Sequence, residues 1–149
     1  TSAIFMVKGM DDPLSQLPGY VLRRASIATM GRLHDHLAAH DLRATEASLI
    51  MLIGDREGIT QSEAGRVLGI KRANMVPLTA KLEARDLLTR TQMDGRSQGL
   101  ALTKAGLAIL RRVRAAITKH EDETIKRVPE ELRTHVIPIL TAIWGQDGD

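Results

Sequence analysis

The sequence predicts a mainly α-helical fold with one small β-hairpin, an α+β chain, on three observations. Apolar residues recur at helical spacing near both ends, a capping box opens a short helix in the middle, and Asp94-Gly95 sits between two short extended runs. With 149 residues, 43% of them hydrophobic and 26% charged, the chain can build one core and a long helix or two. A single domain over 1–149 is therefore expected. One Phe, one Tyr and one Trp leave that core to Leu, Ile, Val, Ala and Met.

Residues 1–12 read as a loose arm ended by Asp11-Asp12-Pro13. A helical pattern follows over 13–40, with Leu22, Ala25, Thr29, Leu33, His36 and Leu37 on one stripe. Thr45 is placed to cap a short helix ending near Ile53, and Gly54 to Gly58 breaks the pattern. Thr60-Gln61-Ser62-Glu63 is a complete capping box, whose helix runs to Leu68 and stops at Gly69. After Ile70, Lys71-Arg72-Ala73 opens a second helix to about Arg85, so the pair is a helix-turn-helix candidate. In that second helix Met75, Leu78 and Leu82 should face the core, which leaves Arg72, Asn74, Pro77 and Lys81 outside.

Two extended runs, Thr89 to Met93 and Gln98 to Leu102, flank the Asp-Gly turn and predict a hairpin. Thr103 then caps a long helix with Leu107, Leu110, Val113, Ile117 and His120 on its apolar side. A last helical segment starts near Pro129 and gathers Leu132, Val136, Ile139, Leu140 and Ile143, with Pro138 expected to kink or interrupt it.

The absence of cysteine excludes disulfides, cysteinyl zinc sites, thiol catalysis and thiol redox sensing. The opening TSAIFMVKGM lacks the basic start and cleavage site of a signal peptide, and no run approaches the ~18 apolar residues of a membrane span. No membrane partner is expected, and the location is expected to be cytoplasmic. The net charge is only +3, but it is unevenly spread. Arg66, Lys71, Arg72, Lys81, Arg85, Arg90, Arg96 and Lys104 face only Glu63, Glu83, Asp86 and Asp94 in the stretch from Thr60 to Lys104. A basic stripe on one module is the footprint of phosphate binding.

Helix, turn, helix and basic hairpin together make a winged helix-turn-helix, in which the second helix enters the major groove and the hairpin reaches the flanking backbone or minor groove. Arg72 and Asn74 have the side chains for bidentate pairing with base edges, and the Pro77 ring can touch a thymine methyl. Lys71 and Lys81 add charge beside them, while Gln61 and Ser62 start a helix that can face a phosphate.

The order of elements, the segment Thr60 to Leu88, the hairpin with Asp94-x-Arg96 and the following Leu102-Thr103-x-x-Gly106 resemble the MarR family of bacterial regulators. The resemblance runs from about Pro18 to Ile143. It implies a homodimer in which the helices of 13–40 and 104–146 interlock, while the winged region 45–103 of each subunit takes one half-site of a near-palindromic duplex. It further implies that Arg96 enters the minor groove and that Asp94 holds the wing against the recognition helix. Two positions depart from the pattern. Pro77 stands where many relatives carry a polar or basic residue, and Asp86 replaces the usual glycine at the end of the recognition helix, where Asp tolerates a left-handed backbone better than most residues.

Tyr20-Val21-Leu22-Arg23-Arg24-Ala25 resembles the first helix of family members that answer to small aromatic carboxylates. By that resemblance Arg23 or Arg24 pairs with an aromatic carboxylate or its thioester, and no cofactor is needed; His36 is a further candidate effector residue. His36 and His40 are i,i+4 neighbours that can share a metal, but no second cluster completes a site, and none is expected. The expected function is a ligand-released transcriptional repressor rather than an enzyme. The alternatives are a winged-helix module that binds only protein and a small metal-dependent enzyme, which lacks a convincing ligand set or nucleophile motif.

Overall fold

The computed structural model describes residues 12–95 and 97–145. The elements in order are α1 (Pro18–Ala38), α2 (Ala44–Asp55), α3 (Gln61–Leu68), α4 (Arg72–Ala84), β1 (Leu88–Gln92), β2 (Gln98–Leu102), α5 (Lys104–Ile125), a 3-10 turn (Glu130–Leu132) and α6 (Arg133–Trp144). This is the mainly helical winged helix-turn-helix that the pattern predicts.

The first helix begins later than its apolar pattern. The Asp12 carboxylate accepts the Leu14 N–H at 2.9 Å and the Tyr20 hydroxyl at 2.5 Å, which holds the following residues in a turn. Pro18 then supplies a first helical residue and keeps Leu17 extended, so the helix starts there rather than at Pro13. Residues 1–11, most of the expected arm, lie outside the described residues.

Thr45 does not cap α2. The cap is Arg43, whose backbone N–H is accepted by the Glu46 carboxylate at 2.9 Å, so the helix starts at Ala44 with Thr45 already inside it. The capping box of α3 forms as read: the Thr60 hydroxyl accepts the Glu63 N–H at 3.2 Å and the Glu63 carboxylate accepts the Thr60 N–H at 3.0 Å. Gly69 ends α3 at φ 66°, a conformation that costs glycine nothing, and Ile70 N–H then bonds back to the Gly65 carbonyl at 2.8 Å.

The core is centred on α2. Ala47, Leu49, Ile50 and Ile53 are buried against Met75 and Leu82 of α4, Leu88 and Leu100 of the hairpin, Leu110 and Val113 of α5, and Leu37 of α1. Leu107 is not on the inward face of α5: it is 49% exposed, because Gly106 and Leu110 take the inward positions. A Cβ at position 106 would overlap the Leu87 carbonyl oxygen, so glycine is required where α5 leaves the hairpin. The two strands pair antiparallel from Leu88 opposite Leu102 to Gln92 opposite Gln98.

Pro138 does not interrupt the last helix, which runs continuously from Arg133 to Trp144. The helix is exposed almost all round, so the carbonyls that proline leaves unpaired can turn to water. Its main neighbour is the 3-10 turn before it.

One ion pair ties α2 to α4. The Glu46 side chain is 3% exposed, and its Oε1 lies 2.6 Å from Lys81 Nζ, which is half exposed. Burial pushes the Glu46 carboxyl up, but the Lys81 ammonium, the Arg43 amide and the charge of Arg85 outweigh it and hold it below the usual carboxylate value. A carboxyl lowered by folding contributes stability above its unfolded value near pH 4.5, and that contribution is lost as pH falls through the folded value. Glu46→Gln should cost about 1–3 kcal/mol at pH 7, with the Coulomb part reduced by the exposure of Lys81. Urea melts from pH 7 to pH 3 should show the variant less pH-sensitive, and equal slopes would remove Glu46 from the acid transition.

Candidate nucleic-acid interface

An open cleft of about 910 Å³ lies between α3, α4 and the hairpin. Gln61, Ser62 and Arg66 come from α3, Lys71 and Arg72 from the start of α4, and Arg90, Ser97 and Gln98 from the hairpin side. Four cations line it and no carboxylate does, among the described residues. The arrangement follows from two local events. The capping box fixes where α3 begins, and Gly69 turns the chain so that Lys71 and Arg72 arrive beside Arg66.

Asn74 and Pro77 are exposed along α4, while Met75 and Leu82 are buried and Leu78 is half-buried. Lys81 stands apart from the cleft, with its ammonium held by Glu46. Arg96 lies outside the described residues. Asp94 is at the hairpin turn, where its carbonyl accepts the Ser97 hydroxyl at 3.2 Å.

The contact that joins hairpin and α4 is one the sequence reading missed. Arg90 on β1 donates from Nε and Nη2 to Glu83 Oε1 at 3.0 and 2.8 Å, and from Nη2 to Gln61 Oε1 at 2.9 Å. The buried Thr79 hydroxyl lies 3.0 Å from the same Gln61 oxygen and 3.1 Å from the Met75 carbonyl. One signal was available: Thr79 falls on the apolar stripe of α4 between Met75 and Leu82, and a hydroxyl placed there needs a partner.

The candidate effector residues lie on α1. Arg24 Nη1 donates to the Tyr20 hydroxyl at 3.0 Å, with the guanidinium 5.8 Å from the ring centre, so Arg24 is tied into the Asp12–Tyr20 turn. Arg23 is exposed and has no hydrogen bond among the described residues. His36 Nε2 lies 2.8 Å from Glu123 Oε2 of α5, a contact that lowers the Glu123 carboxyl below its usual range. The His36 ring meets the buried His120 ring edge-on at 5.8 Å. His120 Nδ1, Arg32 Nε and Thr124 Oγ1 are buried in this α1–α5 joint without a partner among the described residues. His36 therefore bridges two helices, and among the described residues no three His, Cys, Asp or Glu side chains are grouped to hold a metal.

Residues 40–97 match the family model described as MarR family. The chain is 33% identical to the transcriptional repressor CouR solved with a 23-mer DNA duplex, over 87% of this chain and 94% of that one, with a TM-score of 0.81. The chain belongs to the MarR family of transcriptional regulators.

CouR solved with p-coumaroyl-CoA is 30% identical over 92% of this chain and 98% of that chain, also with a TM-score of 0.81. A Thauera aromatica protein described as a regulator of the hcr operon is 24% identical over 88% of this chain and 81% of its own length. The MarR family match covers α2 to the hairpin turn, the part that carries the cleft, while the whole-chain likenesses extend to the outer helices. The MarR-type end of α4 survives the loss of its usual glycine, because Asp86 takes φ 55°. No helix among the described residues is long and apolar enough to cross a membrane.

Proposed function

We propose that this MarR-family chain is a dimeric repressor that grips near-palindromic duplex DNA through 45–103 and is released by a small aromatic carboxylate or its thioester. The observation that carries the reading is the cleft of α3, α4 and hairpin, with four cations and no carboxylate on its described walls. The likeness to a repressor solved on a DNA duplex supports it. In this reading α4 enters the major groove, with Arg72 and Asn74 toward base edges and Pro77 toward an apolar base surface. Lys71, Gln61 and Ser62 meet phosphates, Arg96 enters the minor groove, and Lys81 acts through the packing of Glu46. Asp94 supports the wing tip, while Arg90 supports its base.

Binding should fall steeply with salt, because each neutralised phosphate releases counterions. Arg72→Ala should weaken binding and lower the slope of log affinity against log salt by about one if it meets phosphate, or relax one base position if it reads a base. Fluorescence titration of labelled duplexes between low and high salt measures this, and a flat profile for the wild type would leave only a protein-binding role.

The dimer is the second part of the reading. Leu110 and Val113, two residues of the expected apolar stripe of α5, are used by the chain's own core. The free apolar surface lies at Leu107 of α5, on α6, where Ile137, Ile139, Ile143 and Trp144 are all more than half exposed, and on α1 at Val21, Ile27 and Met30. Helices of 13–40 and 104–146 that cover this surface in a second copy make a closed two-fold pair. A variant with Ile139→Asp and Ile143→Asp should sediment as a monomer and lose duplex binding. Wild-type chain that remains a folded monomer at micromolar concentration would overturn the dimer.

The ligand class rests on the relative bound to p-coumaroyl-CoA and on the exposed Arg23 guanidinium, next to Arg24 on α1, whereas His36 lies some 13 residues further along the helix, about 20 Å away. Linkage requires the ligand to weaken duplex binding by the factor by which duplex weakens ligand binding, typically about 5–150-fold. Arg23→Ala should keep duplex affinity and need about tenfold more aromatic acid or thioester for release. If Arg23→Ala and Arg24→Ala are both released at the wild-type ligand concentration, the ligand sits elsewhere.

A further inference from the structure

The network under the cleft fixes which end of the Gln61 amide a ligand meets. A glutamine amide has one accepting oxygen and one donating nitrogen, and telling adenine from guanine uses both, the nitrogen toward N7 and the oxygen toward the N6 amino group. In this chain the oxygen is already engaged. Arg90 Nη2 donates to Gln61 Oε1 at 2.9 Å, and the Thr79 hydroxyl lies 3.0 Å from it. Arg90 has no acceptor, so the amide cannot flip and keep this bond.

Arg90 is itself held from the other side. Glu83 Oε1 accepts from both its Nε and its Nη2, and each of those side chains is about one third exposed. Thr79 is 1% exposed and also reaches the Met75 carbonyl, which anchors the base of the network in the core of α4. The Gln61 nitrogen is neither buried nor hydrogen-bonded among the described residues, and Gln61 lines the cleft with Arg66, Lys71 and Arg72.

We propose that Arg90, braced by Glu83 and Thr79, turns Gln61 into a donor-only contact for an acceptor on the duplex, and so removes the two-point pairing by which a glutamine singles out adenine. The inference rests on the DNA-binding reading above. The acceptor is a phosphate oxygen, a purine N7, guanine O6 or thymine O4, which share the chemistry of a lone pair facing an N–H. Arg90 is a positioning residue, acting through Gln61.

The test uses the full chain and a pool of randomised duplexes of about 24 base pairs, from which the wild type selects its preferred site. Gln61→Glu keeps an oxygen for Arg90 and Thr79 but loses the donor, so its melting temperature should equal or exceed that of the wild type. Its affinity for the selected duplex should fall about 10–100-fold, the range for losing a charge-assisted bond and facing an acceptor with a carboxylate. A Gln61 that makes no contact would leave binding unchanged in Gln61→Ala and would cost Gln61→Glu only a repulsion that salt screens away, and that pair of results overturns the proposal.

A second arm repeats the selection with Gln61→Ala and with Arg90→Met. If the acceptor is phosphate, Gln61→Ala selects the wild-type sequence with uniformly weaker binding. If it is a base, a purine, guanine or thymine preference disappears at one position of each half-site. Arg90→Met leaves the oxygen with only the Thr79 hydroxyl, which can turn to the Met75 and Val76 carbonyls instead, so a preference for adenine over guanine should appear at that position and vanish when Gln61→Ala is added. A wild-type preference for adenine over guanine that Gln61→Ala abolishes would overturn the proposal. If the wild type enriches no duplex at all, the DNA-binding reading fails instead.

Discussion

The end of α4 turns through Asp86 in a left-handed backbone, and the positions of hairpin, cleft and α5 all follow from that joint. Asp86 N–H bonds to the Glu83 carbonyl at 2.9 Å and Leu87 N–H to the Leu82 carbonyl at 3.0 Å, so the helix closes on itself before the strand begins. The returning chain locks onto the same two residues. The Thr103 hydroxyl donates to the Asp86 carbonyl at 2.5 Å, Thr103 N–H bonds to the Leu87 carbonyl at 3.2 Å, and Gly106 passes too close to that carbonyl for a side chain. Thr103 accepts the Gly106 N–H as well, so a single hydroxyl both caps α5 and fastens it to the end of α4. A shift here would move the hairpin wall of the cleft and the helix on which the outer scaffold is built.

Charge in this region divides into spent and free cations. Arg85 donates to the Asp41 carbonyl at 2.7 Å, Lys81 serves Glu46, and Arg90 serves Glu83 and Gln61. Arg66, Lys71 and Arg72 have no ion-pair partner among the described residues, and all three line the cleft. The count of basic residues in the sequence therefore overstates the charge available to a phosphate backbone. The partition also gives the free cations a rigid floor, because the spent ones tie α2, α4 and β1 together beneath them. An electrostatic surface built this way loses less to rearrangement when an anion arrives, since fewer side chains beneath it remain to be ordered.

Features set by neighbours in sequence were legible. The capping box at Thr60, the stop at Gly69, the second strand and the Thr103 cap each depend on a few adjacent residues and formed where the pattern put them, while the first strand is Leu88–Gln92, one residue earlier than the expected Thr89 to Met93. The left-handed Asp86 was likewise readable from one substitution in a family pattern. Errors came where a side chain reached past its own element. Asp12 set the start of α1 through Tyr20, and Glu46 displaced Thr45 from the cap of α2. On α5 the apolar stripe divides, with Leu110 and Val113 buried in the chain's own core and Leu107 half exposed, a division that sequence spacing alone does not show. The Arg90 network was invisible for a different reason: Arg90 and Gln61 are 29 residues apart, and only the folded hairpin brings them together.

The α1–α5 joint has a different physical character from the cleft. Around the cleft the buried hydroxyl of Thr79 and the buried carboxylate of Glu46 are both satisfied. In the joint, His120 Nδ1, Arg32 Nε and Thr124 Oγ1 are withdrawn from water and left without a partner among the described residues, next to the His36–Glu123 bridge. A buried polar group without a partner costs about 1–3 kcal/mol, a penalty that the paired groups around the cleft do not carry. Its desolvation cost has already been met. Any rearrangement that gives these atoms partners recovers free energy that a satisfied joint would not release, whereas the same movement at the end of α4 would break bonds already made. The two ends of α5 thus differ in how their polar groups are met: at Thr103 one hydroxyl both donates and accepts, whereas at His120 the buried Nδ1 has no partner among the described residues.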